Sequence, residues 1–135
     1  MQTSAYDALR AHFATGATRS VAVRVAALRR LHAAIGAAEV ELLAALHEDL
    51  GKPGFEGYTS ELLHVRREIG HVVANLGRWA GERRVGTSWF HWPARAAVAM
   101  EPLGAVLVLS PWNYPVQLAL VPLVGAVAAG KCVLL

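Results

Sequence analysis

The chain has 135 residues, 55% hydrophobic and 17% charged, enough to bury one modest core and too few for several. Its 13 Lys and Arg against 10 Asp and Glu leave a formal net charge of +3. The arginines are scattered along helical stretches, with no dense basic run and no aromatic-basic interleaving, which argues against nucleic-acid binding. The single cysteine, Cys132, excludes an internal disulfide and fits a reducing compartment, here the cytoplasm. The opening MQTSAYDALRAHFATG lacks the basic-then-apolar pattern of a secretory signal.

In chain order, Thr3 or Ser4 is the expected cap of a first short helix. Ser4 and Asp7 form a shortened version of the capping box, and the helix runs to about Phe13 before a break at Gly16. Thr18 or Ser20 caps a second helix whose stripe is Val21, Val25, Leu28, Leu31 and Ile35, interrupted at Gly36. A third helix turns Val40, Leu43, Leu46 and Leu50 inward and Glu39, Glu41, Glu48 and Asp49 outward. Gly51-Lys52-Pro53-Gly54 stops it, because Gly supplies a left-handed cap and Pro cannot continue. One long helix is predicted from about Phe55 to Arg83, with Leu62, Val65, Ile69, Val72, Val73, Leu76 and Trp79 in period. Gly70, Gly77 and Gly81 on it suggest either close packing against other helices or bends. The stretch from Val85 to Pro93 reads as a loop bearing Trp89, Phe90 and Trp92, and Ala94 to Met100 as an edge or hairpin strand.

From Glu101 the pattern changes: EPLGAVLVLSPWNYPVQLALVPLVGAVAAGKCVLL carries no full charge except Lys131 after its first residue. A buried strand, a proline-framed turn, a very apolar helix and a second buried strand make a parallel strand-helix-strand unit. The fold class is therefore α/β, a helical segment leading into the first such unit of a parallel sheet. The apolar run Val133-Leu134-Leu135 carries no turn or cap, which suggests an incomplete domain.

Few residues point to chemistry by spacing. None of the six histidines sits three or four residues from another His or Cys, and His64 and His71 are two helical turns apart, so no metal site is expected. Gly125-x-x-x-x-Gly130-Lys131 imitates the start of a phosphate loop but falls within and after a helix, with Cys132 where Ser or Thr is required. Cys132 itself sits in an apolar strand, where thiols are inert filler. Asn113 differs. It stands past the carboxyl end of a buried strand, where open α/β sheets place ligands, and Pro111 and Pro115 restrain the backbone on both sides. A side-chain amide held there suits an oxyanion donor; Asn is also a common turn residue, and spacing leaves both readings open.

The segment EPLG…PWNYP…GAVAAG resembles the start of the cofactor-binding domain of the aldehyde dehydrogenase superfamily. Thr18-Arg19 after a glycine break, the LHEDLGKP segment, and Glu56 and Glu61 opening the long helix resemble the shorter-chain, class 3-like branch, so the likeness spans essentially the whole chain. That resemblance implies a Rossmann-like domain and oxidation of a small-molecule aldehyde to a carboxylic acid with NAD or NADP, through a thiohemiacetal and a thioester on a cysteine. It implies that Asn113 donates its amide to the thiohemiacetal oxyanion and that Leu109, Ser110, Pro111 and Trp112 form the wall beside the cofactor. It divides the chain into N-terminal helices over 1–93, a candidate oligomerisation-sheet strand over 94–101, and the start of the NAD(P)-binding sheet over 102–135. A homodimer is implied for the full-length enzyme.

There are departures. Lys131 stands where the family usually has Asn. The Lys-Pro-Ser/Thr-Glu stretch, the nucleophilic cysteine and the general-base glutamate of the family have no counterpart in these residues, and Cys132 does not match the nucleophile's motif. The 135 residues alone are accordingly expected to be catalytically silent. Two other readings stand beside this one. The chain could act as a non-catalytic interaction or dimerisation module through an open sheet edge. The uncharged run Leu103 to Gly130 has the length of a membrane anchor, against which stand Pro111, Asn113, Pro115 and Pro122.

Overall fold

A computed structural model describes residues 4–135; Thr3, one of the two expected first caps, lies outside the described residues. Ser4 is the cap: its hydroxyl accepts from the Asp7 amide at 3.1 Å and donates to the Asp7 carboxylate at 2.7 Å, opening helix α1, Ala5–Ala14. Gly16, at φ 75°, turns the chain toward α2, Val21–Ala37. Ser20 stands at the cap of α2 but makes no side-chain bond there. The Thr18 hydroxyl is used elsewhere, donating to the Gly130 carbonyl at 2.7 Å. Gly36 does not interrupt α2, which runs one residue past it. Among the described residues nothing approaches its Cβ direction within 4 Å, so a helical glycine is tolerated there.

Helix α3, Glu39–Leu50, ends as expected on Gly51 in the left-handed conformation at φ 66°. Its inward face is narrower than the pattern predicts. Leu46 is buried and Leu43 packs against the core, but Val40 is 80% exposed and Leu50 is also exposed. Both lie at helix ends, beyond the reach of the elements that cover the middle. The long helix then starts as α4, Gly54–Gly57, widens into one π turn over Tyr58–Leu62, and continues as α5, Leu63–Trp79. The Thr59 and Ser60 hydroxyls donate back to the Phe55 and Glu56 carbonyls at 2.8 and 2.6 Å, bonding that accompanies distorted helical turns. Close packing occurs at Gly57, where an added Cβ would meet Leu43 Cδ2 at 3.1 Å. Around Gly70 and Gly77, which the sequence marks for that role, there is open space.

The stripe Leu62, Val65, Ile69, Val72 and Leu76 is buried and packs with Leu28 and Ile35 of α2 and Val124 of α6, Pro115–Ala128. Each such side chain contributes about 1.5–3 kcal/mol relative to exposure, so this α2–α5–α6 seam is the core. The long helix stops at Trp79, earlier than the sequence period suggests. Past Gly81, Arg83–Val85 forms β1 and pairs antiparallel with β2, Ala96–Val98, placing a strand at the junction where the expected helix gives way to the expected loop. The helix ends on Ala80 with no left-handed cap to mark it, and three residues are too few for strand alternation to show in sequence. Trp89, Phe90 and Trp92 are exposed between the two strands.

β3, Ala105–Leu107, α6 and β4, Cys132–Leu134, form the expected strand-helix-strand unit with β3 and β4 parallel. Helices α1 and α6 pack on this two-stranded sheet. Burial on both faces is not reached: Leu107 and Leu134 are exposed, because a two-stranded sheet offers them no further layer. Among the described residues no helix is long and apolar enough to cross a membrane; α6 has 14 residues and continues through Pro122.

The carboxyl end of α6 is fixed by Arg24. Its guanidinium donates to the carbonyls of Thr18 at 2.8 Å, Arg19 at 2.6 Å and Ala128 at 3.2 Å. Burial disfavours its charge and lowers its pKa; the three carbonyls and the negative end of the α6 dipole face that charge. Gly130, at φ 79°, leaves room for that guanidinium, because an added Cβ would stand only 2.8 Å from the Arg24 Cζ. Replacing Gly130 by Ala forces a left-handed Ala and displaces an arginine that three carbonyls hold. Gly130→Ala is expected to cost about 1–3 kcal/mol of stability, read as a lower urea midpoint; an unchanged midpoint would contradict this packing.

Candidate active-site turn

The turn from Leu109 to Tyr114 leaves the carboxyl end of β3 and enters α6 at Pro115, whose fixed φ suits the first helical position. Leu109, Ser110, Pro111, Trp112 and Asn113 are thus brought together on one connection. Leu109 is 83% and Trp112 88% exposed, Pro111 and Asn113 are exposed, and Ser110 is half-buried. Ser110 spends its hydroxyl on the neighbouring Pro111 carbonyl at 3.3 Å.

What holds this turn comes from far away in the chain. Lys52 follows the left-handed Gly51, and that reversal sends its side chain inward, where it is only 9% exposed. Its Nζ donates to Glu61 Oε1 and, at 2.9 Å, to the main-chain carbonyl of Asn113, and it lies 3.8 Å from the centre of the Tyr114 ring. His47 Nδ1 contacts the Lys52 carbonyl at 3.2 Å, bracing the same reversal. Glu61 is 0% exposed and sits in the π turn, beside the equally buried Leu62. Its Oε2 accepts the amides of Val116 and Gln117, each at 3.0 Å. Those are first-turn donors of α6, which lack partners inside the helix and carry the positive end of its dipole. Every charge and lone donor in this cluster is matched, and no buried side-chain polar atom among the described residues lacks a partner.

Sequence pattern alone points to Asn113 and places Glu61 at the opening of the long helix, but it treats Lys52 only as part of a helix stop. The missed signal is a cation placed directly after a left-handed glycine cap, with a carboxylate nine residues later on an apolar stripe. Cys132 is buried, and loss of hydration raises its pKa, so it is a poor nucleophile. Gly125 lies within α6 and Gly130 after it, so the phosphate-loop imitation stays an imitation. Among the described residues no group of three or more His, Cys, Asp or Glu could hold a metal ion. An open groove of about 460 Å³ lined by Val72, Trp79, Met100, Leu103, Ala128 and Lys131 lies at the other end of α6 from Asn113.

The aldehyde dehydrogenase family model matches residues 2–135. The chain belongs to the aldehyde dehydrogenase family. Its relatives fall in the class 3-like branch: it is 41% identical over 127 residues to mouse aldehyde dehydrogenase family 3 member B2, covering 94% of this chain and 26% of that protein. It is 40% identical over 127 residues to Arabidopsis thaliana aldehyde dehydrogenase family 3 member H1, with the same coverage of 94% and 26%. A solved structure described as the substrate-bound state of Staphylococcus aureus AldH superposes with a TM-score of 0.89 at 35% identity, covering 92% of this chain and 27% of that one. The chain thus spans about a quarter of the length of these relatives. The α/β class and the N-terminal position within the family fold agree with the sequence expectation.

Lys52 is the member of the buried pair whose loss should be felt most sharply, because it leaves Glu61 charged, buried and short of a donor. Lys52→Met is expected to lower stability by about 3–5 kcal/mol in urea unfolding. Adding Glu61→Gln should recover part of that loss, since a neutral amide needs no cation. A Lys52→Met protein as stable as the parent would contradict the pairing.

Proposed function

We propose that this chain is the N-terminal part of an NAD(P)-dependent aldehyde dehydrogenase and that Asn113 is its oxyanion donor. The observation that carries the reading is the Asn113 turn, placed beyond the carboxyl end of a parallel strand and tied by its main chain to a buried ion pair. In the reaction, a thiolate elsewhere in the enzyme bonds to the aldehyde carbon, and the carbonyl electron pair moves onto oxygen. The Asn113 amide donates an N–H to that oxygen, which holds its negative charge until the carbon–oxygen double bond re-forms. Pre-oriented donation of this kind is worth about 3–4 kcal/mol of barrier, because the donor needs no reorganisation as charge develops.

The turn also fits one wall of a dinucleotide site. Leu109 and Trp112 present exposed apolar surface at the position where open parallel sheets receive such ligands. With Ser110 and Pro111 they are the residues that would line NAD or NADP, and the nicotinamide, when bound, supplies the hydride acceptor. Residues 94–101 belong to an oligomerisation sheet in this proposal, and the working enzyme is a homodimer in the cytoplasm. Pairing of β2 with β1 and the exposed edge of that ribbon support this assignment. The 135 residues alone are silent, since they contribute the donor and part of a cofactor wall but neither nucleophile nor general base.

In the complete enzyme, Asn113→Ala is expected to lower kcat for aldehyde oxidation by about 100–1,000-fold, with KM for NAD or NADP little changed, measured by reduced-nicotinamide absorbance. Retention of the parental kcat would remove Asn113 from the chemistry. Aldehyde oxidation by the 135-residue chain on its own would overturn the division of labour.

A further inference from the structure

We propose that Lys52 and Glu61 are positioning residues for Asn113, so that the buried ion pair acts in catalysis through the oxyanion donor. This rests on the proposed role of Asn113 and adds the means by which its amide is held. A side-chain amide can stabilise a developing charge only if its backbone does not drift, since donation weakens steeply with distance and angle. Asn113 lies on an exposed turn, where drift is the ordinary condition.

The main chain around it is held at three points by one pair of side chains. The Lys52 ammonium takes the Asn113 carbonyl at 2.9 Å. The Glu61 carboxylate takes the Val116 and Gln117 amides, each at 3.0 Å. Between these points stand Tyr114, whose ring faces the same ammonium, and Pro115, whose φ is fixed by its ring. With the carbonyl on one side of Tyr114 and the amides on the other both tethered, the peptide plane that carries the Asn113 Cα is held, and the side chain keeps only rotation about the Asn113 ψ and its own two torsions.

A purely structural role accounts for the arrangement less well. Apolar residues of similar volume usually do as well as or better than a buried ion pair in holding a core together. Here both charges are directed onto main-chain groups within four residues of Asn113, and they come from the LGKP turn and the π turn. Glu61→Gln is the informative change, because it keeps the volume. One amide oxygen cannot serve both Lys52 and the two α6 amides, and its NH2 donates where an acceptor is needed.

The test is a double-mutant cycle on kcat in the complete enzyme, using Glu61→Gln, Asn113→Ala and the two together. Glu61→Gln alone is expected to lower kcat by at least about tenfold, with KM for the nicotinamide cofactor within about twofold. On the Asn113→Ala background the same change should cost less than about twofold more, because the donor it positions is already gone. An unchanged kcat in Glu61→Gln overturns the inference, and so does a full tenfold loss added on top of Asn113→Ala. If Glu61→Gln does not fold, Glu61→Asp, which keeps the charge and withdraws it by one methylene, goes through the same cycle, and the same two results overturn the inference. A parent enzyme inactive on aldehydes with either nicotinamide cofactor overturns the proposed activity and this inference together. An active parent with additive losses overturns the inference alone.

Discussion

The contact between Lys52, Glu61 and the start of α6 is the interaction on which the rest depends. A carboxylate with no exposed surface is tolerable only if its charge is met at every side. Here one oxygen meets the ammonium, and the other meets two main-chain amides at the positive end of a helix. The ammonium is met in turn by the Asn113 carbonyl and the face of Tyr114. Such a cluster adds little net stability compared with apolar packing, yet breaking one member is costly, so it enforces a geometry more than it deepens a well. The geometry it enforces is that of the turn on which the proposed oxyanion donor sits.

Helix α6 is therefore held by charge at both ends and by apolar packing along its length. Glu61 stands at its amino end, Arg24 at its carboxyl end, and Val124 and Ala128 face the seam made by α2 and α5. Both signs agree with the helix dipole. Very apolar, and continuous through Pro122, α6 has no charged residue of its own to set its position along its axis; the helical half of the chain supplies those charges. This explains why the N-terminal helices and the strand-helix-strand unit form one structure although their compositions differ so sharply.

Much of this is legible in sequence where a local rule decides the outcome. Ser4 with Asp7, the left-handed Gly51, the Leu62-to-Leu76 stripe and the strand-turn-helix-strand order around Asn113 all follow from capping, backbone sterics or hydrophobic period. What is not legible depends on partners distant in the chain. Lys52 reads as punctuation until the turn at Asn113 is known to lie above it. The π turn leaves no mark because Glu61 faces inward for a reason found 55 residues away. The strand at Arg83–Val85 owes its existence to pairing with Ala96–Val98, and Val40 and Leu50, at the two ends of α3, are left exposed. Asn113 stands out by its place between strand and helix, whereas the restraint on its main chain is visible only in three dimensions.

The central claim is that one buried carboxylate fixes the amino end of α6 and, with Lys52, the turn before it. The most direct measurement is residue-resolved amide hydrogen exchange of Val116 and Gln117 in the parent protein and in Glu61→Gln. Main-chain amides bonded to a buried carboxylate should exchange slowly in the parent and at least about tenfold faster in the variant, while Val124 and Ala128 keep their protection. Equal protection of Val116 and Gln117 in both proteins would contradict it, because the helix start would then be held by something other than Glu61.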